Sequence, residues 1–113
     1  MLISSTETIG GRTVVQTLGM INGSAVWSKN FGRDIMAGLK TLVGGEIRGY
    51  TEMIIEARQV ATQRMVQQAQ QMGADAIVGA RFTTSSVMQG MTEVVAFGTA
   101  VKLSAPVAPP LLG

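Results

Sequence analysis

The chain has 113 residues, net charge +2 and only 14% charged residues, against about 25% in ordinary soluble domains; by length it is one domain. It contains no histidine and no cysteine, which excludes nucleophile–histidine catalysis, zinc sites of the ordinary kind and disulfides. Lys and Arg are scattered among one Trp, one Tyr and three Phe, so no basic, base-stacking surface for nucleic acid is encoded.

The low charge also bears on assembly. The hydrophobic fraction is 46% before the 14 glycines are counted, more apolar surface than a small monomer can hide. The expectation is a homo-oligomer whose sister chains cover the remainder. The amino terminus lacks a basic segment followed by a long apolar core, and no apolar run approaches the roughly 18 residues that span a bilayer. The expected setting is soluble and cytoplasmic, with no membrane partner.

In chain order, a short strand is predicted at about Leu2 to Ser5. Gly10 and Gly11 make a turn, and an extended stretch runs from Arg12 to about Trp27. Within it "INGS" (21–24) contains Asn-Gly, a strong hairpin signal. A bend or bulge at Gly23 in one long strand fits the same residues. A short helix follows, capped by Asn30 or Asp34 and carrying Ile35, Met36, Leu39, Leu42 and Val43. A longer helix from about Tyr50 or Thr51 to Met72 has the stripe Tyr50, Ile54, Ala57, Ala61, Met65, Ala69 and Met72. Six glutamines (59, 63, 67, 68, 70 and 71) cover its wet side, and Gly73 ends it. Two strands close the fold, about Ala76–Met88 and Thr92–Ser104, joined at Gln89-Gly90. A two-residue loop there would set Ala76 opposite Leu103 and Phe82 opposite Phe97, on the face expected beneath the long helix. Gly79, Arg81, Thr83 and Ser85 would then face Ala100, Gly98, Ala96 and Val94 on a smooth second face. All three prolines fall in residues 106–110, which makes 105–113 a tail after a single domain, 1–104.

The chemistry is sparse. "GLKTLVGGEIRG" (38–49) is not a phosphate cradle, because Lys40 precedes the glycine pair, Glu46 follows it and a helix, not a strand, leads in. It reads as an interhelical corner. Arg81, a lone guanidinium among small residues at a subunit junction, is the leading candidate for contact with an anion or acidic ligand; an ion pair with a glutamate is the competing reading. Glu46, Arg48 and Tyr50 beside the corner are secondary ligand-binding candidates, and they are the residues a small enzyme would use. No catalytic residue, metal ligand or cofactor is assigned. The methionines read as flexible core filler rather than thioether ligands.

"MLISSTETIGGR", "GRDIMAGLKTLVGGEIRGYTEM", "GADAIVGARF" and "GTAV" together resemble the YbjQ-like family, small bacterial and archaeal chains that carry a heavy-metal-binding label. The resemblance covers about residues 1–103. It implies an α+β, dodecin-like β-α-β-β subunit, its helix packed on a curled antiparallel sheet, assembling into pentameric rings that sometimes pair into decamers. It also implies that 12–27 is one long bent strand. No metal ligand is carried over, because thiolate and imidazole are both absent; a metal would need carboxylates, backbone carbonyls or methionine sulfurs. The function expected is a non-enzymatic ring that binds or stores a small ligand or ion, with a purely structural scaffold as the alternative and the small enzyme as another.

Overall fold

The structure, a computed structural model, describes residues 1–28, 46–88 and 90–106, and only the backbone of Ser28 and residues 46–50. The short helix expected between Asn30 and Val43, and most of the glycine corner, lie outside the described residues. Five elements follow one another: β1 (Leu2–Ile3), β2 (Val14–Ser28), α1 (Glu46–Gln71), β3 (Ala76–Met88) and β4 (Met91–Leu103). The strands form one sheet in the order β1-β3-β4-β2. The sheet is mixed rather than wholly antiparallel, because β1 pairs parallel to β3.

β2 contains no charged residue and no proline, a composition suited to a pleated surface. It is one strand, so the Asn-Gly hairpin does not form. Nor is there a bulge at Gly23: pairing with β4 is unbroken from Gly19 to Ser28, and the irregularities fall earlier, between Val14 and Gln16 and between Thr17 and Gly19. Gly23 serves a different need. A Cβ there would lie 2.3 Å from the Ala61 carbonyl oxygen and 2.3 Å from the Met65 amide nitrogen, so the helix backbone rests directly on the strand backbone.

α1 begins at Glu46, earlier than the sequence suggests, and takes Gly49 and Tyr50 into its first turns. Its buried residues, among those whose side chains are described, are Met53, Ala57, Ala61, Met65 and Ala69, each four positions from the last. Such a row is inclined to the helix axis, which lets α1 lie across a twisted sheet. Ile54 and Met72, expected in the stripe, are instead exposed. The helix ends in paired capping bonds: Gly73 (φ 76°) donates to the Gln70 carbonyl at 3.0 Å and Ala74 donates to the Ala69 carbonyl at 3.1 Å, the pattern a left-handed glycine permits.

The β3–β4 pairing departs from the expected register. Met88 does face Met91, but Ser86 pairs with Thr92, Arg81 with Phe97 and Ala76 with Val101. Irregularities between Ser86 and Met88 and between Val78 and Arg81 absorb one residue each. Phe82 therefore faces Ala96, not Phe97. Because side chains alternate with a period of two, this exchanges the faces of β4. The helix covers the small side: Val94, Ala96 and Ala100 join Ile21, Ala25 and Ile77 in the main core. The larger Val95 and Phe97 lie on the opposite face, half-buried. One end of that opposite face holds a second core of Ala76, Val78, Val101 and Leu103, packed by Ile9 and Val14.

Candidate functional site

Gly79 creates the site. Its φ of 61° belongs to the left-handed region that favours glycine. Gly79 donates to the Thr6 carbonyl and Ala80 to the Ser4 carbonyl, both at 2.9 Å. Two consecutive amides thus point toward the amino-terminal arm, which is the mark of a bulge. The arm is held further by the Ser4 hydroxyl, 2.6 Å from that of Thr6, and by the Thr6 hydroxyl donating to the Thr8 carbonyl at 2.8 Å.

After the bulge, Arg81 stands on the sheet face opposite the helix, level with Phe97. It lines a cleft of about 370 Å³ with Glu7 from the arm, Thr17 from β2, and Thr99 and Val101 from β4. That volume is within the range of small-ligand sites. The Arg81 side chain is exposed and makes no hydrogen bond or ion pair among the described residues. The cleft offers one guanidinium, one carboxylate and two hydroxyls over a floor of valines, a set suited to a small polar ligand with an anionic group.

The expected neighbours of Arg81 are not all present. Gly98 and Ala100 lie on the helix-covered face, so the small-residue setting gives way to Thr99, Val101 and Phe97. Glu46, Arg48 and Tyr50 have their backbone in the first turns of α1, and their side chains lie outside the described residues. α1 packs on the sheet face turned away from Arg81.

A second concavity lies between the end of β2 and the first half of α1. It has about 250 Å³ and is lined by Trp27, Met53, Ala57, Val60, Glu56 and Arg64, among others. The Trp27 indole N–H donates to the Met53 sulfur at 3.2 Å. Sequence reasoning passed over it, although a lone tryptophan at the end of an uncharged strand was a usable signal. Its two charges are already engaged in part, because Arg64 Nη1 donates to the Ser24 carbonyl at 2.5 Å.

A family model described as "Putative heavy-metal-binding", the YbjQ-like family, matches residues 1–104. The chain belongs to this family. It is 61% identical over 103 residues to a UPF0145 protein of Vibrio parahaemolyticus, which covers 91% of this chain and 98% of that one. It is 52% identical to a UPF0145 protein of Thermotoga maritima, covering 91% and 97%. Among solved structures, a protein of unknown function of the DUF74 family from Pediococcus pentosaceus superposes with a TM-score of 0.62 at 18% identity, over 92% of this chain and 98% of that one. At that identity the likeness concerns the fold alone.

The donor set of this YbjQ-like chain lacks the usual ligands of a soft heavy metal. Thiolate and imidazole are absent from the whole sequence. Met53 and Met65 are buried in the core, and the Met53 sulfur already accepts the indole N–H. Among the described residues no three carboxylates lie close enough to hold an ion.

Proposed function

We propose that this chain is a non-enzymatic, ring-forming binding module, a dodecin-like homo-pentamer or decamer acting in the cytoplasm, in which residues 1–104 form the assembling domain. The observation that carries the reading is Arg81, unpaired among the described residues, in a cleft on the sheet face that the helix leaves bare. The same face also presents Met20, 77% exposed, and Val26, 55% exposed. Unburied apolar surface next to an unpaired charge suits a junction between copies that also holds a small anionic ligand. A ring repeats each contact around its axis, so one arginine per chain becomes a ring of positive charge.

The same apolar face favours, as a second reading, a scaffold without ligand. Native mass spectrometry of protein purified without chelator, followed by unfolding of the same sample, separates the two. The binding reading expects a ring with extra mass released on unfolding, and its loss in Arg81→Ala with the ring retained. A bare wild-type ring supports the scaffold. Extra mass retained in Arg81→Ala takes this arginine out of the site.

A further inference from the structure

The two outer edges of the sheet are treated differently by the chain. On β2, the Asn22 amide donates to Gln68 Oε1 at 2.8 Å, and the Ser24 carbonyl accepts from Arg64 at 2.5 Å. Two long side chains of α1 thus reach over the edge and occupy backbone groups that another strand would need. This is how natural sheets guard an edge against pairing.

Among the described residues, the outer edge of β3 has no such guard. The amino-terminal arm pairs with β3 only as far as Ala80. From Arg81 to Met88 every residue is exposed. Since the Ala80 amide points outward to Ser4 and pairing is regular from Arg81 to Ser86, strand alternation turns the amides and carbonyls of Phe82, Thr84 and Ser86 outward. Among the described residues nothing bonds to them. The stretch Phe82–Met88 also lacks any charge, proline or glycine, the features that usually blunt an open edge.

We infer that this edge pairs antiparallel with the same edge of a second copy, about a two-fold axis at Thr84. The edge is self-complementary in that arrangement. Thr84 meets Thr84, a favourable cross-strand pair, and Phe82 meets Ser86, with no like charges opposed. Charge selects the direction. Parallel pairing would set two Arg81 side chains beside each other. Antiparallel pairing separates them and brings each toward the end of the second hairpin, which carries Glu93 on the same face as Ser85 and Arg81. The contact deepens the ring reading, which leaves open how five copies would become ten: being isologous, it doubles whatever assembly the remaining surfaces make.

The chain has no cysteine, so a Thr84→Cys variant carries a single thiol that can form a disulfide only between copies. Residues paired at such an axis have Cα atoms about 5.5 Å apart, within disulfide reach. Under mild oxidation, Thr84→Cys is expected to become mostly covalent dimer, at least about tenfold faster than Ser24→Cys on the guarded edge. Equal rates, or faster linkage at Ser24→Cys, would overturn the inference. Adding Glu93→Lys should slow linkage severalfold by opposing Arg81; an unchanged rate would overturn the antiparallel direction. Circular dichroism verifies folding of each variant. Native masses of the reduced samples read ring closure separately. A ring without cross-linking refutes only the edge contact, and cross-linking without a ring refutes only the ring.

Discussion

The two faces of this sheet are built to opposite rules. The face beneath α1 is made of small side chains, with Gly23, Ala25, Ala96 and Ala100 all buried, and the helix answers with Ala57, Ala61 and Ala69. Backbones approach closely there, and among the described residues Ile21, Ile77, Val94, Met53 and Met65 are the bulky buried filling. The other face carries Phe97, Val95, Met20 and Val26 together with Arg81, and no described element covers their end of it. Small residues here mark the finished core, whereas the larger apolar residues mark what a single chain leaves unfinished.

The covered face is most sensitive at Gly23. Gly23→Val is expected to cost about 3 kcal/mol or more, because its side chain would meet helix backbone rather than a movable side chain. Urea unfolding followed by circular dichroism would show it, and a loss below about 1 kcal/mol would contradict the close approach. Met65→Ala, which empties one of the few bulky core positions, should cost about 2–5 kcal/mol by the same measurement. Gly73→Ala, forcing a non-glycine residue into φ 76°, should cost about 1–2 kcal/mol. On the open face, Met20→Lys should change the stability of the isolated chain by no more than about 0.5 kcal/mol. It should nonetheless shift sedimentation toward smaller species. If it destabilised the chain as strongly as Met65→Ala, the open face would be part of the core instead.

Much of the element plan was legible in the sequence, and the faces were not. β3 and β4 announced themselves through alternation around Gln89-Gly90, and Ala57, Ala61, Met65 and Ala69 through helical spacing. The exchange of the β4 faces came from one residue inserted between Ser86 and Met88, and a second, between Val78 and Arg81, turned Ala76 and Val78 away from the helix as well. A strand's side-chain period is two, so a single bulge is enough to invert every later assignment. Gly79 was the available signal, since an isolated glycine within a strand often marks a bulge. Gly23 shows the same lesson from the other side: the turn chemistry of Asn-Gly was overridden by the packing of a helix that the local residues do not specify. Arg81 could be singled out because it is the only charged residue of β3. Its cleft could not be foreseen, because Glu7 and Thr17 reach it through the arm and β2, far away in the chain.

The most direct test of the account is the native mass of the wild-type protein at micromolar concentration in near-physiological salt. A closed assembly of five or ten chains is expected, with the open sheet face between copies. A monomer would contradict it, and would leave Met20, Val26 and Arg81 on a surface without the partner that the proposal requires.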